Sequence, residues 1–224
     1  VTRSARPATG RRPVVGRCAA LLLTAGVLLA GCSSGAEEHD HGSDAAAATV
    51  SGPDSPYDGL YLQTPYQKPE FTLTDRTGAP YDFGTATAGA PTLLFFGYTN
   101  CPDVCPTTMA DVATALRTVD PAVAQQVRVV FVTTDPAQDT PEVLGEYLDR
   151  FDRDLAVDFV GLTGDQAQID QAQLAAGVPL AEDMGRQHSS LLLLYGADGE
   201  ADVAFDAGNT ARDIAHDLTV VAGA

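Results

Sequence analysis

Pro91-Thr-Leu-Leu-Phe-Phe-Gly-Tyr-Thr-Asn-Cys-Pro-Asp-Val-Cys-Pro106 is the segment from which the architecture can be built outward. Thr92–Phe96 is short, apolar and bounded by Pro and Gly, the pattern of a strand buried on both faces. Functional loops of open α/β sheets sit at the carboxyl ends of such strands, so this one delivers Cys101 and Cys105 to the end of a sheet. Pro102 and Pro106 lack an N–H and fit only a loop or a first helical turn, so a helix is expected to begin near Pro106 and run through Arg117. Cys105 then lies at a helix N-terminus, where the dipole favours thiolate and lowers the pKa below the free value of about 8.5. Cys101 lies in the loop beside it. With His188 far downstream, two thiols and an imidazole make a soft ligand set. A structural disulfide is the other reading of the pair, but closing so small a loop adds little stability.

On the N-terminal side, Glu70-Phe-Thr-Leu-Thr-Asp75 alternates like a strand, Asp75–Gly78 is a turn and Pro80–Phe83 begins a return, an N-terminal β-hairpin. On the C-terminal side, Val127–Thr133 reads as a second buried strand, and Thr140–Phe151 as a helix with Thr140 as N-cap and Pro141 in the first turn. Phe159–Leu162, Leu191–Tyr195 and Ala201–Phe205 read as strands, the last two joined by the turn Gly196–Gly199. Asp165–Ala176 and Thr210–Val221 read as helices. Two βα crossovers, a hairpin and a final helix predict an α/β, thioredoxin-like sandwich with an added N-terminal β-hairpin.

Before this domain, Arg3, Arg6, Arg11, Arg12 and Arg17 precede the apolar run Cys18–Leu29, a basic n-region and an h-region short for a spanning helix. Leu29-Ala-Gly-Cys32 resembles the bacterial lipobox, which implies cleavage after Gly31 and a lipid on Cys32. The alternative is an uncleaved anchor, and in either case the domain works at the extracytoplasmic face of the cell membrane. Three regions are therefore expected: 1–31 a lipoprotein signal peptide, 32–56 a flexible polar tether and 57–224 the folded domain. His39 and His41, in Glu37–Gly42, could scavenge metal, but the composition is that of a solvated linker. Cleavage removes five of 13 basic side chains and none of 30 acidic ones, leaving 8 against 30, a net charge of −22. So acidic a chain is no nucleic-acid binder, and its membrane contact must come from the lipid.

Phe96–Met109, Val129–Pro136 with Asp139-Thr-Pro141, and His188-Ser189 before a strand resemble the Sco/SenC family of copper-binding, thioredoxin-like proteins. The resemblance implies that Cys101, Cys105 and His188 bind one copper ion per chain, as Cu(I) or Cu(II). It also implies delivery of that copper to the binuclear copper centre of a respiratory cytochrome c oxidase, with the copper-accepting subunit as partner. Asp135 corresponds to an acid the family carries near the site, where it tunes ligands or meets the partner; a plain strand-end turn before Pro136 is the other reading. Glu182–Gln187 departs from the family, which has an acid and an aromatic just before its histidine. The supporting shell of His188 is thus in question more than its ligation. Met184 is either a fourth soft ligand or a gap-filler, and His216, in the last helix, reads as exposed.

The rival function is a thiol–disulfide oxidoreductase that reduces the cysteines of the oxidase copper site, with Cys101 and Cys105 as attacking and resolving thiols. Against a general oxidoreductase, three residues separate the pair where thioredoxin-type pairs have two. The segment His188-Ser-Ser-Leu also lacks the proline that thioredoxins place there. A peroxidase constellation is not found. A disulfide cannot ligate copper as two thiolates, so oxidation and metal loading exclude each other.

Overall fold

The computed structural model describes residues 55–183 and 185–223. The chain begins with β1 (Leu60–Gln67), β2 (Thr72–Asp75), β3 (Pro80–Asp82) and the single-turn α1 (Phe83–Ala86). Next come β4 (Thr92–Gly97), α2 (Val104–Thr118), the short α3 (Pro121–Ala124) and β5 (Arg128–Thr133). After α4 (Pro141–Asp152), β6 (Phe159–Thr163) and α5 (Gln166–Ala175), the chain closes with β7 (Leu192–Tyr195), β8 (Glu200–Phe205) and α6 (Ala211–Ala222).

The strands form one eight-stranded sheet in the order β1-β8-β7-β4-β5-β6-β2-β3. β4, β5 and β6 are mutually parallel, so they need crossovers, which α2 with α3 and then α4 supply. β7 runs antiparallel to β4 and to β8, while the β2–β3 hairpin extends the sheet beyond β6. This is the expected thioredoxin-like sandwich with its added hairpin.

Every residue of β4 is buried. Leu93 and Phe95 face Met109 and Val112 of α2, Leu144 of α4 and Leu218 of α6. Leu94 and Phe96 face the opposite layer, with Phe83 of α1 and Ile169 of α5. A strand covered on both faces can present polar chemistry only at its ends.

Three local features differ from the sequence expectation. α2 starts at Val104, ahead of Pro106, because a proline in the first turn forfeits an N–H that has no intrahelical acceptor anyway. β1 was not foreseen: Pro65 interrupts it, and its register with β8 shifts between Tyr61 and Tyr66. An edge strand tolerates both. α1 and α3 are single turns with too few residues to show a helical period. The expected Thr140 cap is present, its Oγ1 accepting from Val143 N at 3.4 Å, and Asp165 caps α5 by accepting from Gln168 N at 2.8 Å. The signal-peptide assignment, the tether up to residue 54, Cys32, His39, His41 and Met184 lie outside the described residues. Among the described residues no helix is long and apolar enough to cross a membrane.

Asp217, fully buried on α6, anchors the start of β1 by accepting from Asp58 N at 2.8 Å and Gly59 N at 2.9 Å. His216 is exposed as expected, but its Nδ1 lies 2.8 Å from Asp217 Oδ1, and that hydrogen bond raises its pKa. Asp217→Ala removes a buried acceptor shared by two backbone N–H groups. The expected loss is about 3 kcal/mol, read as a lower midpoint in urea unfolding; an unchanged midpoint would show that this anchor is dispensable.

Candidate metal centre

Gly97 ends β4 beside Thr133 at the end of β5. A Cβ on Gly97 would lie 2.8 Å from Cys105 Sγ, so glycine here makes room for the sulfur. The following loop turns back on itself through a Cys101 N–H to Tyr98 carbonyl bond of 3.2 Å. It is held down by Asp139, a fully buried carboxylate. Asp139 Oδ2 accepts from Thr99 N at 3.0 Å and Thr133 Oγ1 at 2.7 Å, and Oδ1 accepts from Thr99 Oγ1 at 2.6 Å.

α2 then begins between the two cysteines, which gives them different surroundings. Cys101 is half-buried and its Sγ lies 3.5 Å from Cys105 N at the open end of the helix. Burial alone would raise its pKa, but the N–H groups of Cys105 and Asp103 outweigh that and bring it below the ordinary thiol value. Cys105 has no exposed surface, and burial pushes its thiol well above that value. The expectation that the helix dipole favours thiolate at Cys105 is corrected: its side chain packs into the core, and Cys101 receives the helix N–H groups.

His188 arrives on the segment between α5 and β7. Its Nε2 lies 3.5 Å from Cys105 Sγ, and its Nδ1 lies 2.8 Å from the Ser189 carbonyl oxygen. A carbonyl only accepts, so Nδ1 donates to it, and a neutral imidazole so held turns its Nε2 lone pair toward the sulfurs. Phe95 and Tyr98 stand edge-on to the ring, at centroid distances of 6.1 and 5.6 Å. The two Sγ atoms and the imidazole nitrogen all lie within 4.8 Å of one another. The set is compact, two-thirds sulfur and open on one side, where a groove of about 470 Å³ runs past Cys101, Val104, Leu180 and His188. Such a set suits a soft, low-coordinate metal ion.

The sequence model of the family described as SCO1/SenC matches residues 61–223. The chain belongs to the SCO1/SenC family. It is 34% identical over 137 residues to a Stutzerimonas stutzeri protein named for copper binding, a match that covers 58% of this chain and 65% of the relative. The chain therefore spans just under two-thirds of that relative's length. Among solved structures, Bradyrhizobium japonicum ScoI with copper bound is similar at 32% identity and a TM-score of 0.57, over 70% of this chain and 98% of that one. BsSco, described as a member of the Sco family of cytochrome c oxidase assembly proteins with a disulfide switch, is similar at 26% identity and a TM-score of 0.56, over 73% and 95%.

In this SCO1/SenC domain, Asp135 stands outside the three-donor set. Its carbonyl accepts from Gln138 N at 3.1 Å and Asp139 N at 3.0 Å, a turn, and it also lines an adjoining cleft with Tyr98 and Arg186. The sequence reading gave no role to Asp139, Thr99 or Gly185. The one available hint was the polar pair Thr133-Thr134 ending an apolar strand, since buried hydroxyls there need partners.

The unequal thiols have a direct consequence. A thiolate is the alkylated form, and a lowered pKa makes it available at lower pH. In the reduced protein at pH 7, iodoacetamide should label Cys101 and spare Cys105, with Cys101 labelling setting in at lower pH than that of an ordinary thiol. Peptide mass mapping reads this out. Equal labelling in the folded protein would contradict the asymmetry.

Proposed function

We propose that this chain holds one copper ion through Cys101, Cys105 and His188 and delivers it to the copper-accepting subunit of a respiratory cytochrome c oxidase. The observation that carries the reading is the convergence of two sulfurs and an imidazole nitrogen within 4.8 Å. The likeness to a copper-bound ScoI supports it, as does BsSco's membership of a family of oxidase assembly proteins. Thiolates favour Cu(I), and imidazole serves both oxidation states.

The burial pattern suggests how cargo leaves. Cys105 is the inner donor, while Cys101 and His188 border the open groove, so an incoming ligand from the acceptor displaces a groove-side donor first. Copper loading must deprotonate Cys105, whose buried thiol holds its proton in the empty site, so binding releases protons and tightens as pH rises. We place the domain at the extracytoplasmic face of a bacterial membrane, tethered by a lipid on Cys32 through residues 32–56, after removal of residues 1–31.

A second reading, reduction of the acceptor's disulfide, is favoured by the same thiol asymmetry. Cys101 thiolate would attack one partner sulfur, forming a mixed disulfide and releasing the other as thiolate. Cys105 would then attack Cys101, giving up its proton to a released partner thiolate, expelling the second partner sulfur and leaving a Cys101–Cys105 disulfide. Two electrons pass to the partner, and the oxidised pair can no longer hold copper.

Cu(I) titration against a competing chelator separates the two. Wild type should bind one copper per chain. Cys101→Ser, Cys105→Ser and His188→Ala should each weaken binding by about a hundredfold or more, beyond the 10–100-fold typical of a supporting residue, and the oxidised protein should bind none. A wild type that binds no copper yet reduces a partner disulfide would replace the first reading with the second.

A further inference from the structure

His188 stands just after a small hairpin in which Glu182 N donates to Gln187 O at 2.7 Å and Gln187 N donates to Glu182 O at 3.1 Å. Asp183 and Gly185 turn the chain at φ of 49° and 84°. Arg186 braces it from outside, donating to Asp183 O at 3.1 Å and Asp183 Oδ1 at 3.0 Å, both on the exposed side. The imidazole is held locally by the Ser189 carbonyl and the rings of Phe95 and Tyr98, and the hairpin sets where its segment lies.

The tip of the hairpin is seated on the end of β5. Thr134, which has no exposed surface, donates from Oγ1 to the Gly185 carbonyl oxygen at 2.7 Å. The fit leaves no room: a Cβ on Gly185 would run into the Thr134 carbonyl and come within 3.0 Å of Asp135 N. Thr134 N donates to Gly97 O at 2.7 Å, at the root of the cysteine loop. Its neighbour Thr133 reaches the same loop through Asp139 and Thr99. Two consecutive threonines thus hold the two arms of the site from one strand end.

We infer that Thr134, acting through Gly185, is the positioning residue for His188. The inference rests on the copper-site reading for its metal readout but not for its structural one. Without the Thr134 hydroxyl, the buried Gly185 carbonyl loses its donor. The hairpin then lifts, and the imidazole loses its fixed place opposite Cys105.

The test compares wild type with Thr134→Val, which keeps the shape and removes the hydroxyl, and Thr134→Ser, which keeps the hydroxyl, each with and without His188→Ala. Expected is a 10–100-fold loss of Cu(I) affinity in Thr134→Val, wild-type affinity in Thr134→Ser, and no further loss from Thr134→Val once His188 is gone. In the metal-free reduced protein, long-range ¹⁵N–¹H spectra should show one Nδ1–H tautomer of His188 in wild type and a broadened or mixed signal in Thr134→Val. Wild-type affinity and spectra in Thr134→Val would overturn the inference, as would an equal loss in the His188→Ala background. Should Thr134→Val fail to fold by circular dichroism, Gly185→Ala decides instead: the same His188-dependent loss supports the seating and wild-type binding overturns it. A wild type that binds no copper defeats the copper reading alone, because the metal-free spectra still judge the seating.

Discussion

Asp139 lies at the point where the cysteine loop, the end of β5 and the approach to α4 meet, and it has no contact with water. Burying a carboxylate costs several kcal/mol unless donors replace the lost hydration. Three hydrogen bonds from Thr99 and Thr133 do so. Because these donors come from the ends of two neighbouring strands, satisfying the carboxylate requires that the Cys101 loop lie in one place. The same strand end seats the His188 hairpin through Thr134.

The parallel pairing of β4 with β5 sets this arrangement. Both strands are covered on each face by helices, so their side chains are spent on the core, and all polar chemistry is displaced to their carboxyl ends. Gly97, Thr133 and Thr134 occupy that rim. Leu192 at the start of the antiparallel β7 pairs with Phe95, which brings the segment carrying His188 to the same rim from the opposite chain direction.

Within the site, depth separates chemical roles. Cys105 is sealed under β4 and the helix, and Cys101 sits where helix N–H groups support its thiolate. A centre with one buried and two groove-side donors can be opened from one side without dismantling the fold, a property that both cargo transfer and disulfide exchange require.

Much of this was legible in the chain itself. The apolar, proline- and glycine-bounded runs mark the central strands, because a strand buried on both faces must be apolar throughout, and Thr140-Pro141 marks where α4 begins. The types and order of Cys101, Cys105 and His188 by themselves point to a soft metal. Edge strand β1 and single-turn helices escaped, since polar edges and four-residue turns carry no period. What only the tertiary structure decided is which thiol is buried, which ring nitrogen faces the sulfurs, and that Asp139, Thr134 and Gly185 hold the two loops together. Those outcomes depend on burial and on hydrogen bonds between residues far apart in sequence, and no local pattern encodes them.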